Sequence, residues 1–463
     1  MSETQSMIDV FNPANGEKIT SIALGGKKEA SAAVDAAYEA FKEWSERTAY
    51  ERSNLLMKWH DLIEEELEEL ARTMTMEQGK PLKEAKGEII YANSFISWYA
   101  EEGKRIYGET IPSSSRNKRI LVHKQPVGVI AAITPWNFPA AMITRKVAPA
   151  LSAGCTAVVK PASATPLTAI KLGELALKAG IPEGVLTILP GDSGEISDAW
   201  MEDTRVRKIS FTGSTEVGKL LMEKSAATVK KISLELGGHA PLIVMEDADL
   251  DKAVEGAVGS KFRNAGQTCV CSNRIYVHEN IVDVFNEKFK EKVAELKIGN
   301  GLEEGVDVGP LIDKDAFEKV NKHIQDALDQ GAELLYGGKC YEEGNGFFVE
   351  PTVIANISDD MLCMNEETFG PLAPVSTFTS EDEVIKRANN SAYGLAAYLF
   401  TENISKAVRV GEKLEYGIVG INDGLPSTAQ APFGGFKESG IGREGGHQGM
   451  DEYLEVKYFS IGI

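Results

Sequence analysis

Cys269 lies in the run FRNAGQTCVCSNR at 262–274, two residues before a second thiol, Cys271, and among small and amide side chains. A thiol in such company is a candidate nucleophile, although a free cysteine is otherwise most often a packed small hydrophobe. An unperturbed thiol titrates near pH 8.5, so at neutral pH it needs local activation to attack. The pair also admits a redox chemistry, in which an oxidised Cys269 is resolved by Cys271 as a disulfide, if the loop bends enough for the geometry. The competing role for Cys271 is a packed small side chain behind the nucleophile.

A second chemical feature lies upstream, in RKISFTGSTEVGKLLMEKSA at 207–226. An apolar strand pattern ends at Gly213 and Ser214, and a helix pattern opens behind them. A helix N-terminus presents free N–H groups and a positive dipole end, which suit a phosphate; an ordinary strand-to-helix turn with a Ser cap is the alternative. Further upstream the strand pattern AVVK ends in Lys160, followed by PASATP with Ser163. NAD sites commonly place an acid on the adenosine ribose 2′-OH, and residues 161–169 hold none. Lys160 and Ser163 leave charge and room for a 2′-phosphate, which favours NADP with NAD as its competitor. The literal GxGxxG at Gly440, Gly442 and Gly445 follows a polar, Gly-rich stretch without a strand pattern and is read as a decoy.

The whole chain limits what these residues can serve. Its 463 residues and 43% hydrophobic content allow two or three domains with a large core. Lys and Arg number 49 against 69 Asp and Glu, and a net charge of −20 argues against nucleic acid or anionic membrane as partner. The N-terminus lacks a signal-peptide pattern and no apolar run is long enough to span a bilayer, so a cytoplasmic protein is expected. Five irregularly spaced cysteines fit reduced thiols better than a disulfide framework, and the six histidines include no metal-ligand spacing. No metal is expected.

The elements that must position the chemistry show a change of rhythm. Residues 27–105 are mostly helical in pattern. From about 127 short apolar runs (VGVIAAI, AVVK, VLTIL, KISF, KISLEL, PLIV) alternate with stretches of helical length, as in a parallel sheet with crossover helices. The alternation restarts after about 238, and the Gly-Gly-Pro-containing stretch LELGGHAP marks the best boundary.

Six strings in fixed order, TPWNFP (134–139), FTGSTEVG (211–218), LELGG (234–238), GQTC (266–269), EETFGP (366–371) and PFGGFKESG (432–440), resemble the motif set of the aldehyde dehydrogenase superfamily over nearly the whole chain. The resemblance implies an α/β fold of three parts. These are a Rossmann-like coenzyme domain (1–117 and 134–237), an α/β catalytic domain (238–435) and a small β oligomerisation element (118–133 and 450–463). In that element KRILVHKQPVGVIAAI would be a hairpin, YLEVKYFSI would hold the last strand, and a homodimer or homotetramer is implied.

The same resemblance assigns roles. Cys269 is the nucleophile that forms a thiohemiacetal, Asn137 the side-chain donor to its oxyanion, and Glu235 the base that activates water against the thioester. Glu367 and Phe369 hold the nicotinamide ribose and ring, and Trp136, Ser214 and Val217 are further coenzyme contacts. Substrate choice rests on Arg145, eight residues after Asn137 in a helical pattern and so on roughly the same helical face, and on Arg263, six before Cys269. Two guanidinium groups near the reactive centre suit a substrate carboxylate, and Ser427 could add a hydroxyl. This set resembles the succinate-semialdehyde dehydrogenase subgroup and implies oxidation of succinate semialdehyde to succinate, a late step of 4-aminobutyrate breakdown. Glutarate semialdehyde is the nearest rival substrate, and a noncatalytic binding protein of the same fold is the rival class.

Overall fold

The computed structural model describes residues 6–463. The helical rhythm of the N-terminal region becomes four helices, Lys27–Trp44, Ala49–Glu65, Leu67–Gln78 and Leu82–Glu102. Thr48 starts the second with a capping box, its hydroxyl accepting the Glu51 N–H while the Glu51 carboxylate accepts the Thr48 N–H. Gly79 ends the third in the left-handed conformation that closes helices. Their inner faces bury Trp44, Trp59, Phe95 and Tyr99 completely or nearly so. Each such side chain contributes on the order of 1.5–3 kcal/mol by leaving water.

These helices pack near a six-stranded sheet in the spatial order Gly440–Ile441, Lys231–Glu235, Val206–Thr212, Val129–Ile133, Thr156–Lys160, Leu186–Ile188. All neighbours are parallel except the short Gly440–Ile441 strand. The chain order reverses between Val129–Ile133 and Val206–Thr212, the kind of switch point outside which open α/β sheets bind ligands. The C-terminal ends of those two strands carry TPWNFP and TGST.

The second sheet has seven strands, with Ser272–His278, Ala240–Val244 and Leu372–Phe378 near its centre and one antiparallel strand, Glu333–Tyr336, at its edge. Lys231–Glu235 is the last parallel strand of the first sheet, to which the chain returns only at Gly440–Ile441, and Ala240–Val244 starts the second. The residues between them, Leu236 to His239, connect the two sheets.

The expected hairpin at 118–133 does not form. Lys118–Pro126 pairs with Leu454–Gly462 and Glu109–Ile111 in a separate three-stranded antiparallel sheet, whereas Val129–Ile133 is a central strand of the six-stranded sheet. Gly128, at φ +130°, turns the chain between them. VIAAI is apolar at every position and nearly all buried, which a strand covered on both faces requires. Lys118–Pro126 is half exposed and fits an antiparallel layer. Gly440 is not part of a phosphate turn either: it pairs with Glu235, and a Cβ there would stand 1.8 Å from the Leu234 carbonyl oxygen.

Candidate active site

The Cys269 segment is held by its amide residues. Helix Leu250–Phe262 ends, and Asn264, Ala265 and Gly266 follow with φ of 52°, 54° and 73°, three consecutive left-handed residues. Such a conformation costs about 1–3 kcal/mol for a residue like alanine and persists only where the surroundings enforce it. Here Asn264 N–H donates to Glu84 Oε2 at 2.8 Å, Gln78 Nε2 donates to Asn264 Oδ1 at 3.0 Å, and Ile312 N–H donates to Gln267 Oε1 at 3.0 Å. Gly266 is required by crowding as well, since a Cβ would meet the Gly370 carbonyl oxygen at 2.2 Å.

Asn137 reaches this segment from the first sheet. It lies in the turn after Val129–Ile133, and its Nδ2 donates to the Gln267 carbonyl at 3.0 Å. Its own carbonyl accepts from Lys80 Nζ at 2.8 Å and from Asn264 Nδ2 at 3.0 Å. The helix begins only at Ala141, so Asn137 and Arg145 do not share a helical face as the spacing predicted. Pro139 and the WNFP turn intervene. Arg145 nonetheless lines the cavity beside Cys269, because the helix itself is packed against it.

That cavity, about 240 Å³, is lined by Cys269, Arg145, Arg263 and Ser427 together with Phe138 and Phe433. Arg145 stacks at 4.6 Å on the Phe433 ring and Arg263 at 5.4 Å on the Phe138 ring. Arg145 Nη2 and Arg263 Nε are buried without a hydrogen-bond partner. A buried donor in that state is unusual, and an acceptor placed between the two arginines would satisfy both.

Charge in the site is set by burial. The Cys269 thiol is pushed up to about 12 by desolvation, which outweighs the attraction of Arg145 and Arg263. The expected depression of this thiol is thus absent in the protein alone. Glu235 closes its strand with its carboxyl buried and Oε2 unpartnered, and desolvation followed by the charge of Glu444 raises it well above the ordinary carboxyl range. Glu444 goes the other way: despite burial, Arg145 and Lys146 hold it below that range. It contacts Arg145 Nε and Lys146 Nζ directly, and Lys146 also donates to Thr212 Oγ1 at 2.6 Å. Burial and ion pairing thus drive the two carboxyl groups apart, Glu235 toward its protonated form and Glu444 toward its charged one.

The wall toward the first sheet is more open. Gly213 N–H donates to the Glu235 carbonyl at 3.0 Å, so the turn that starts helix Thr215–Ser225 is fixed to the strand carrying that glutamate. Ser214 caps the helix by accepting the Val217 N–H at 3.4 Å, and both residues are exposed. Lys160 Nζ donates to the Ser193 hydroxyl at 2.5 Å and to no carboxylate among the described residues, with Ser163 partly buried three residues on. Burial lowers the Lys160 ammonium. Glu367 Oε1 accepts the Gly238 N–H at 2.9 Å, and burial raises this carboxyl to about 7. Phe369, at φ +55°, meets Trp136 edge to face at 5.7 Å. Helix N–H groups, a lysine without a carboxylate partner, a carboxyl and an aromatic wall fit the phosphates, ribose and ring of a nicotinamide dinucleotide. Among the described residues no group of three His, Cys, Asp or Glu side chains is arranged to hold a metal ion.

The model of the aldehyde dehydrogenase family matches residues 1–459. The chain belongs to the aldehyde dehydrogenase family. An NADP(+) succinate-semialdehyde dehydrogenase of Escherichia coli is 57% identical over 456 residues, covering 98% of this chain and 94% of that protein. A glutarate-semialdehyde dehydrogenase of Pseudomonas putida is 56% identical over 456 residues, with the same coverage of 98% and 94%. The crystal structure of a succinate-semialdehyde dehydrogenase from Burkholderia pseudomallei superposes with a TM-score of 0.98 at 54% identity, covering 99% of this chain and 95% of that one.

Within this aldehyde dehydrogenase, sequence reasoning misses several lining residues. Lys80, Glu84, Glu88 and Tyr91 come from the start of helix Leu82–Glu102 and the turn before it; sequence reasoning also misses Glu444, from the C-terminal return, which pairs with Arg145 without lining the cavity. The first group left a weak signal, since Glu84, Glu88 and Tyr91 share one helical face. Glu444 left none, standing in a Gly-rich stretch. Cys271 is fully buried and faces away from the cavity's lining, its Sγ accepting from Lys261 Nζ at 3.2 Å, and both thiols are free.

Proposed function

We propose that this aldehyde dehydrogenase oxidises succinate semialdehyde to succinate with NADP as the preferred coenzyme. The observation that carries the reading is the cavity that sets Arg145, Arg263 and Ser427 beside Cys269, with a buried, unpartnered donor on each arginine. One end of the substrate is then a carboxylate held by two guanidinium groups, and the other an aldehyde at the thiol. The relatives named above support a short semialdehyde, and Lys160 with Ser193 and Ser163 supports a 2′-phosphate.

In this reading Cys269 Sγ adds to the aldehyde carbon as its proton passes to solvent, and the carbonyl oxygen becomes an oxyanion facing Asn137 Nδ2. A bound nicotinamide dinucleotide supplies the acceptor for the hydride and a positive ring that favours a thiolate nearby. Hydride loss leaves a thioester on Cys269. Glu235, kept basic by burial and by Glu444, takes a proton from water; the hydroxide oxygen attacks the thioester, and the Cys269 thiolate leaves with succinate released. Trp136, Gly213, Ser214, Val217, Glu367 and Phe369 orient the coenzyme. The parts of the chain divide accordingly into a coenzyme domain (1–117 and 127–237, which takes in the central strand Val129–Ile133) and a catalytic domain (238–435), with the strands Lys118–Pro126 and Leu454–Gly462 as the oligomerisation element. Exposed Val456 and Tyr458 on the last strand, at 68% and 67%, support its burial against a second copy.

Comparing kcat/KM for succinate semialdehyde and for butanal tests the substrate. A preference of about 10²-fold or more for the semialdehyde is expected from a charge-assisted pair worth on the order of 3 kcal/mol; equal values would reject the reading. Glutarate semialdehyde should be a slower substrate, because one methylene discriminates by about 1–3 kcal/mol. Cys271 completes the reading as a resolving thiol: peroxide converts Cys269 to a sulfenic acid with loss of water, and attack by Cys271 forms the disulfide with loss of a second water. The 268–271 turn, closed by Cys271 N–H to Thr268 O at 3.1 Å, must open for this. Thiol-reversible inactivation in wild type that becomes irreversible in Cys271→Ala is expected, and equal reversibility in both would reject it.

A further inference from the structure

The cavity wall opposite Cys269 comes from residues that the proposed chemistry does not use. Lys80 is buried, and its Nζ donates to the Asn137 carbonyl at 2.8 Å and to Glu88 Oε2 at 2.5 Å. The ammonium also lies 4.1 Å above the Phe138 ring. The other carboxylate oxygen of Glu88 accepts the Ala140 N–H at 2.9 Å and the Ala141 N–H at 3.3 Å, at the start of the helix that carries Arg145. One ion pair therefore grips both ends of the turn 137–141.

The grip extends to the thiol segment. The Lys80 N–H donates to Gln78 Oε1 at 2.9 Å, Gln78 Nε2 donates to Asn264 Oδ1 at 3.0 Å, and Asn264 Nδ2 returns to the same Asn137 carbonyl at 3.0 Å. Asn137 is thus fixed by two donors on its carbonyl, and its side chain is left aimed at the Gln267 carbonyl. A buried ion pair adds little net stability, because desolvation of both charges offsets their attraction. Its contribution here is geometric.

We propose that Lys80, paired with Glu88, is a positioning residue that holds Asn137 where its amide meets the oxyanion formed at Cys269. The inference rests on the reading of Asn137 as the oxyanion donor. A misplacement of about 1 Å in such a donor is enough to slow the step by about 10²-fold.

Two reactions of Cys269 separate this role from a structural one. Alkylation by iodoacetamide displaces iodide at a saturated carbon and forms no oxyanion; acylation by p-nitrophenyl acetate passes through one. Lys80→Met is expected to slow acylation by about tenfold or more while leaving alkylation near wild type, with a lower Tm because Glu88 is left buried without its partner, and to add nothing further to the slowing in an Asn137→Ala background. Acylation at the wild-type rate, equal slowing of both reactions, or full additivity with Asn137→Ala would overturn the proposal. Normal acylation by Asn137→Ala itself would remove the oxyanion reading, and the proposal with it, which is a distinct result. Glu88→Gln, which keeps an acceptor for the Ala140 N–H but removes the charge that holds the Lys80 ammonium, is expected to give the same split in smaller measure; it carries the test if Lys80→Met does not fold.

Discussion

The two walls of the site are built on opposite principles. Around Cys269 the polar groups are buried, the backbone is forced into three consecutive left-handed residues, and burial sets the charge: the thiol rises to about 12 and Glu235 stands well above its ordinary value. Across the cleft, Ser214 and Val217 are exposed, and among the described residues the Lys160 ammonium donates only to a serine hydroxyl. A dry wall fixes the energies of reacting atoms, whereas a wetter wall fixes where a ligand lies. Substitutions of the reacting groups on the first, Cys269 and Glu235, should therefore act on the chemical steps, and those on the second on coenzyme binding.

The largest expected effect is on the dry wall. Cys269→Ala should abolish oxidation of every aldehyde, leaving coenzyme binding measured by fluorescence quenching intact; residual turnover would mean that another group attacks. Next come the arginines, which the comparison divides. Arg263→Ala should raise KM for succinate semialdehyde and cut kcat/KM by about 10²-fold, as loss of a charge-assisted contact worth on the order of 3 kcal/mol implies. Arg145→Ala should do this and also move the alkaline-rising limb of the deacylation rate to higher pH. Arg145 lowers Glu235, so its removal raises that carboxyl further, and more alkaline solution is needed to keep it a base. Coincident limbs in the two variants would contradict the tuning role.

A smaller effect tests the thiol alone. With the protonated form favoured to about 12, alkylation of Cys269 by iodoacetamide in coenzyme-free protein should keep rising with pH through the range 7–10 without a plateau, and NADP should accelerate it. A plateau below pH 8 would show a thiol already activated by the protein. The smallest effect lies on the wetter wall: Lys160→Ala should raise KM for NADP more than for NAD, with kcat nearly unchanged. An equal change for both coenzymes would remove the 2′-phosphate from the account.

The sequence makes the chain-local parts of this comparison readable. GQTC, LELGG and WNFP each carry their functional side chain within a few residues of a recognisable turn, and the strand and helix rhythm locates both sheets. What is hidden depends on contacts between distant segments. Lys80 and Glu88 are paired with a turn some 50 residues away, and Glu444 reaches Arg145 across about two thirds of the chain. The direction of the Cys269 shift is hidden for the same reason, since desolvation comes from packing rather than from neighbours in the run. The hairpin expected at 118–133 misled because two strands adjacent in sequence belong to different sheets, and Gly128, which separates them, looks like any hairpin glycine. Arg145 reached the right cavity by the wrong argument: Pro139 delays the helix past Asn137, and tertiary packing brings the guanidinium in.

The most direct test is the mass of the Glu235→Gln protein after mixing with succinate semialdehyde and NADP under acid quench. The account predicts one equivalent of NADPH formed in a burst, little turnover after it, and a succinyl group on the peptide that carries Cys269. Steady turnover at the wild-type rate, or no acyl group on that peptide, would contradict it.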